Sequence, residues 1–134
     1  MKQKINPDGY IKPPAAYTNV IKVSSPEEMI FLAGVCPTDA EGRIVGENDI
    51  LAQAKQAAEN IKLELKAAGA GPGNITMTTT YVLADQMDNF LMTGAASALF
   101  EALDNPADTL IGVASLAGMK FGQLLEVNVI AVIN

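Results

Sequence analysis

A chain of 134 residues, 49% hydrophobic and 18% charged, is sized for one compact domain that buries about two-thirds of the surface its unfolded form would expose. A formal net charge of −6 and a pI near 4.5 predict a soluble protein whose average field repels phosphate backbones, so nucleic acid is not an expected partner. The absence of histidine excludes a Ser-His-Asp triad, a Cys-His pair, a histidine-ligated zinc and a histidine-based ribonuclease within one chain, and leaves acid–base work to carboxylates, tyrosines, lysines or water.

The single cysteine, Cys36, has no partner for an internal disulfide, and "MKQKINPDGY" lacks the apolar core of a signal peptide. No uninterrupted apolar run approaches the length of a bilayer span. These features predict a cytoplasmic protein with a reduced thiol and no membrane partner. No metal or organic cofactor is expected.

In chain order, the first residues are polar and turn-like, and residues 1–13 are expected to be loosely ordered. "AYTNVIKVS" alternates over Val20 to Val23, and "MIFLAGVCP" follows after the turn "SSPEE", so the two runs predict a hairpin. "RIV" is a candidate short strand. Asn48 or Asp49 can cap a helix through "DILAQAKQAAENIKLELKAAG", where Ala54, Ala58, Ile61, Leu65 and Ala68 recur at helical spacing and Gly69 supplies a stop. "NITMTTTYVL" is a β-branched strand with Thr76, Thr78 and Thr80 on one face and Ile75, Met77, Thr79 and Tyr81 on the other. Asp85 is a candidate cap for one further helix over "QMDNFLMTGAASALFEAL", with a stripe of Phe90, Leu91, Ala95, Ala98 and Ala102. "TLIGVAS" and "QLLEVNVIAVI" complete the chain as strands.

This order predicts a single α+β domain with a mostly antiparallel sheet and two helices covering one face. The other face needs a cover, because Ile30, Leu32, Ile111, Val113, Ile130 and Val132 alternate with residues assigned to the helix side. Self-association is the simplest one.

Alternation in the last strand places Leu125, Val127, Val129 and Ala131 under the helices, and Glu126 and Asn128 on the open face. A partly desolvated carboxylate there suits acid–base work. Periodicity alone favours the plainer reading, in which Glu126 is a wetted strand residue or half of a structural ion pair, since most strand carboxylates have no catalytic role. Tyr17, expected to open the first strand after the stiff "KPPAA", is either held for a purpose or is an amphipathic edge residue. Cys36 has no nearby cation cluster to activate it and is expected to act as a small buried hydrophobe. "GAGPG" lacks the Gly-Lys-Ser/Thr ending of a phosphate loop and is expected to be a connector. Asp108 sits where the turn "NPAD" meets a strand.

Together, "AYTNVIKV", "MIFLAGVCP", "GRIVGENDILAQAKQAAENIK", "AAGAGPGNITMTTTYVLADQMDNF", "TLIGVASL" and "LLEVNVIAV" resemble, in order and spacing, the RidA (YjgF/UK114) family of reactive-intermediate deaminases. The resemblance covers nearly everything from Pro14 onward. It implies a chorismate-mutase-like α+β fold and a homotrimer packed through its sheets, with three small-molecule clefts between subunits. Carried over residue by residue, the family's cleft tyrosine matches Tyr17, its water-orienting glutamate matches Glu126, and the glycine of its second strand matches Gly34, with Asn128 nearby as a further substrate-binding candidate. The arginine that grips the carboxylate of a 2-imino acid falls on Asp108. Counting backward from Glu126 without a gap puts Ile111 there instead, and the loop from Leu116 to Glu126 is longer than usual. The only arginine, Arg43, lies in another loop, and Lys120 is the one lysine close in sequence; either would need a rearranged cleft to stand in for the clamp, and a lysine lacks the planar fork that binds a carboxylate bidentately.

Two unit charges about 4 Å apart at an effective dielectric of about 20 interact by about 4 kcal/mol, so reversing the sign of the clamp swings carboxylate binding by several factors of ten. The resemblance therefore implies an enamine- or imine-deaminase-like hydrolase acting on something other than the usual 2-imino acids. A metabolite-binding trimer without turnover is the alternative, and an endoribonuclease or translation inhibitor is the weakest reading.

Overall fold

Asp49 accepts a hydrogen bond from the Ala52 amide at 3.1 Å and so opens the longest helix, α1 (Ile50–Ala67). The computed structural model describes residues 1–13 and 16–134. The face of α1 built from Ala54, Ala57, Ala58, Ile61 and Leu65 is fully buried. These alanines let the helix axis approach the sheet closely, while Leu65 and Ile61 supply the larger apolar area. Gly69, at φ 79°, ends it in the left-handed conformation that costs glycine nothing.

Before α1 come β1 (Lys2–Ile5), β2 (Val20–Val23) and β3 (Glu28–Val35). After it come β4 (Ile75–Leu83), α2 (Met87–Met92), α3 (Ala95–Ala102), β5 (Ala107–Val113) and β6 (Leu125–Ile133). The main sheet has the order β3-β6-β4-β5. Pairs β3–β6 and β4–β6 are antiparallel, and β4–β5 is parallel. A parallel pair needs a long crossover, which α2 and α3 supply. The architecture is the predicted α+β class with a mostly antiparallel sheet.

Several local expectations are corrected. Residues 2–5, within the stretch expected to be loosely ordered, form β1 and pair with β2 in a separate two-stranded sheet. The expected β2–β3 hairpin does not form, because β3 pairs with β6 instead. "RIV" contributes only an isolated bridge between Thr38 and Ile44. The stiff segment before Tyr17 includes Pro14 and Ala15, which lie outside the described residues.

The second predicted helix is two. Gly94, at φ 85°, breaks it, so the described residues form three helices where two were expected. Leu91, placed on the apolar stripe, is 51% exposed, whereas Phe90 is buried. Across the break Phe90 meets Phe100 edge-on, with ring centroids 6.1 Å apart, an arrangement that suits the ring quadrupoles.

Strand faces follow from register, since directly opposed residues share a face. Leu125, Val127, Val129 and Ala131 are completely buried on the helix side, as alternation predicts. In β3, however, Ile30 and Leu32 stand opposite Ala131 and Val129 and pack on the core. Met29 and Phe31 are the residues on the open face, 58% and 66% exposed. The run "MIFLAGV" is apolar at nearly every position, so its own pattern carries no phase. In β4 a register shift between Ile75 and Met77 turns Ile75 to the same buried side as Thr78 and Thr80, reversing its expected face.

Candidate functional site

A second irregularity, between Leu32 and Val35 of β3, inserts one extra residue opposite Val129 and Val127. Such a bulge re-aims the backbone, and here Gly34 comes to lie against the Glu126 carboxylate. Glu126 is on the open face, directly opposite Tyr81 of β4, and is half-buried. Its Oε1 accepts hydrogen bonds from the Cys36 thiol at 3.3 Å and from Gln123 Nε2 at 3.4 Å. Its Oε2 lies beside Gly34 and has no hydrogen-bond donor among the described residues.

Cys36 is half-buried and bonded, not the inert core hydrophobe expected. Burial first, then the adjacent Glu126 carboxylate, push its thiol up to about 11, so it is a proton donor to Glu126 and a poor nucleophile at neutral pH. It also stands on the wall between two open cavities. One, of about 750 Å³, lies toward α1 and includes Gly34, Gln56 and Asn60. The other, of about 760 Å³, includes Arg43, Glu47, Lys120, Phe121 and Gln123.

Two buried glutamines hold the long loop before β6. Gln123 is 1% exposed; its Oε1 accepts from the Gly118 amide at 2.9 Å, and its Nε2 donates to the Leu125 carbonyl at 2.9 Å. Gln53 of α1 donates to the carbonyls of Gly46 and Gly122 at 2.9 and 2.7 Å and accepts from the Leu124 amide at 2.8 Å. Sequence reasoning missed both, and it also passed over Tyr81 beside Glu126. For Gln53 a signal exists: it precedes Ala57 and Ile61 by four and eight residues, on the buried stripe. Gln123 has no comparable periodicity.

Asp108 lies elsewhere. It is opposite Thr78 in the parallel β4–β5 pair, and Thr78 is buried on the helix side, so Asp108 and Glu126 are on opposite faces of the sheet. Its Oδ1 accepts from Thr78 Oγ1 at 2.6 Å and from Thr80 Oγ1 at 2.8 Å. Burial pushes the Asp108 carboxyl above the usual carboxylate range, and the two hydroxyl bonds pull it part of the way back. Asp108 shares a third cavity, of about 290 Å³, with Tyr10, Tyr17, Asn19, Met77 and Thr109.

The candidate residues therefore fall into two groups within one chain. Glu126 and Gly34 meet, joined by Cys36 and Gln123, and Asn128 is exposed two residues along the same face. Tyr17 and Asp108 meet around the smaller cavity; Tyr17 precedes β2 instead of opening it. The two cations considered as stand-ins for the clamp line a cavity that Asp108 does not reach. Arg43 is already paired with Asp39 at 3.1 Å and Glu41 at 3.4 Å. Lys120 has no ion pair among the described residues and lies 5.1 Å from the Phe121 ring centroid.

A family model described as Endoribonuclease L-PSP matches residues 9–133. The chain is 29% identical over 131 residues to a RutC family protein of Pyrococcus horikoshii, with 98% of each covered. It is 32% identical over 106 residues to the 2-iminobutanoate/2-iminopropanoate deaminase of Salmonella typhimurium, covering 77% of this chain and 80% of that one. Among solved structures, a protein of unknown function of the conserved Rid family from Yersinia pestis is similar with a TM-score of 0.82 at 27% identity, with 98% of both chains covered.

Proposed function

The chain belongs to the Endoribonuclease L-PSP family, the RidA/YjgF group, and on that footing we propose that it is a deaminase-like hydrolase of imines or enamines that lack the carboxylate of the usual 2-imino acids. The observation that carries this reading is the Glu126 carboxylate on the open sheet face, with one oxygen held by Cys36 and Gln123 and the other left for a water beside Gly34. A water that donates to Oε2 is oriented with a lone pair toward a bound imine carbon. Its oxygen bonds to that carbon, the C=N electron pair moves to nitrogen, and Glu126 takes the water proton and returns it to nitrogen. The carbinolamine then collapses: Glu126 takes the hydroxyl proton and passes it to the nitrogen, the C–N bond breaks as the oxygen lone pair forms the carbonyl, and ammonia leaves. Asp108, at the position the family resemblance gives to the clamp, supports the exclusion of anionic substrates.

A homotrimer is part of the proposal. Met29 and Phe31 stand exposed on the uncovered face, and a trimer packed through its sheets would cover them and bring the Tyr17–Asp108 group of one subunit toward the clefts. A cytoplasmic location fits a single protonated thiol; among the described residues, no helix is long and apolar enough to cross a membrane. The family's ribonuclease label receives little support from a chain with net charge −6 and no histidine.

The test follows loss of freshly generated imines with native protein and Glu126→Gln. The expected result is acceleration over buffer for uncharged imines, none for 2-iminobutanoate, and loss of the acceleration in an intact Glu126→Gln oligomer. Robust native turnover of 2-iminobutanoate overturns the substrate exclusion. Buffer rates throughout leave the second reading, a metabolite-binding trimer without turnover, which the acidic residue at the clamp position favours.

A further inference from the structure

The sheet ladder stops short of Cys36. The last pair between β3 and β6 is Val35 with Val127, so Cys36 lies one residue beyond the strand, in a tight turn at Pro37 that the Thr38 amide closes on the Cys36 carbonyl at 2.9 Å. The far side of the turn is held by the Thr38–Ile44 bridge and by the Val45 amide, which donates to the Pro37 carbonyl at 2.8 Å. Its near side is held from α1. Asn60 Nδ2 donates to the carbonyls of Cys36 and Thr38, each at 2.9 Å, and among the described residues no other side chain donates to the Cys36 carbonyl. Asn60 Oδ1 accepts from Gln56 Nε2, one helical turn earlier, at 2.9 Å. That bond fixes which end of the amide faces the turn.

We propose that Asn60 is a positioning residue for Glu126, acting through Cys36. The Cys36 thiol donates to Glu126 Oε1 at 3.3 Å, and the same residue's carbonyl is the one Asn60 grips. A backbone swing that takes the carbonyl from Asn60 takes the thiol from the carboxylate. The two donors to Oε1 differ in their support. Gln123 is anchored independently, by the Gly118 amide and the Leu125 carbonyl, whereas Cys36 depends on the turn that Asn60 holds. Helix α1 thus reaches Glu126 without any residue of its own at the carboxylate, and leaves Oε2 free beside Gly34. An asparagine suits this place because its short amide offers two N–H donors to two carbonyls two residues apart; a leucine of similar size offers none. The inference goes beyond the proposed hydrolysis. Its bearing on turnover rests on that reading, but the placement of Cys36 does not.

The experiment follows iodoacetamide alkylation of Cys36 against pH, by mass spectrometry, in the native protein, Asn60→Ala, Asn60→Leu and a control, Ile61→Val, which thins the buried stripe of α1 without touching a bond to the turn. Both Asn60 variants are expected to fold, because alanine and leucine are good helix formers and the open cavity beside Asn60 lets water bond the freed carbonyls. In both, the thiol should titrate lower and alkylation at pH 8 should rise about tenfold or more, while Ile61→Val keeps the native profile. In a Glu126→Gln background the gain from Asn60→Ala should shrink, because part of what is lost is contact with that charge. A native profile in the Asn60 variants, an equal rise in Ile61→Val, or the same gain in both backgrounds overturns the proposal. Imine turnover is read in parallel, and kcat is expected to fall about threefold or more in Asn60→Ala with KM little changed. An unchanged kcat in a variant whose thiol has moved overturns the role toward Glu126. Buffer rates in the native protein sink the hydrolase reading instead, and the alkylation profiles still decide whether Asn60 places Cys36 against Glu126.

Discussion

Gly34 and Glu126 occupy one space between them: a Cβ built on Gly34 would stand 3.0 Å from Glu126 Cδ and closer still to Oε2. The glycine is thus a steric condition for where the carboxylate sits. The group in the way is the free end of a flexible side chain, so Gly34→Ala is expected to fold, with stability changed by less than about 1 kcal/mol. The displaced carboxylate should lose its contacts with Cys36 and Gln123, and any Glu126-dependent turnover should fall about tenfold or more. Thermal melts beside the imine assay check this. A variant that keeps full turnover would show that the carboxylate position is not critical.

Cys36 offers a readout that needs no substrate. With its thiol pushed up to about 11, only about a thousandth of it is thiolate at pH 8, so alkylation by iodoacetamide should be far slower than for a free thiol. Glu126→Gln removes the adjacent negative charge but not the burial, so the thiol pKa should fall part of the way and alkylation should speed up several-fold. The rate measured against pH by mass spectrometry decides it.

Asp108 carries a stability signature with a definite sign. Its carboxyl is raised in the folded state chiefly by burial, so the charged form burdens the fold at neutral pH. That burden is relieved as pH falls through the folded pKa toward the ordinary carboxylate range. Asp108→Asn, whose amide oxygen still accepts from Thr78 and Thr80, should melt higher than the native protein at pH 7 in amine-free buffer. The gap should close in acid. A native protein that melts higher at pH 7 would mean that the hydrogen bonds from Thr78 and Thr80 outweigh burial.

Gln123→Leu keeps the volume roughly and removes the polar atoms. The Gly118 amide and the Leu125 carbonyl lose their partner, which should cost about 1–3 kcal/mol in a denaturant titration. Gln123→Glu, which can still accept from Gly118 but brings a second carboxylate toward Glu126, should instead raise the Cys36 thiol further and slow alkylation.

Much of the scaffold was legible in the sequence because some signals are local. Asp49, the alanine stripe of α1 and the stop at Gly69 act within one or two turns, and the strict alternation of Leu125 to Ala131 assigns the faces of β6. The failures share a cause, which is dependence on distant partners. The turn "SSPEE" suggests a hairpin, yet β2 finds β1 and β3 finds β6. "MIFLAGV" is apolar throughout, so only pairing with β6 sets its phase. Gly94 reads equally as a close-packing residue or a break. The grouping of Glu126 with Gly34 follows from a bulge that no pattern announces, and the opposite faces of Asp108 and Glu126 follow from the parallel register of β4 and β5.

The loop before β6 is pinned at Gly118 by Gln123 and at Gly122 by Gln53, while Met119, Lys120 and Phe121 between them remain exposed. Anchor and tip are thereby separated. The three tip residues can be exchanged for others of different size or charge without disturbing the two clasps or the Glu126 carboxylate behind them. The lining of the Arg43–Lys120 cavity can then drift by substitution while the placement of Glu126 is inherited unchanged, as an interchangeable bit is held in a fixed chuck.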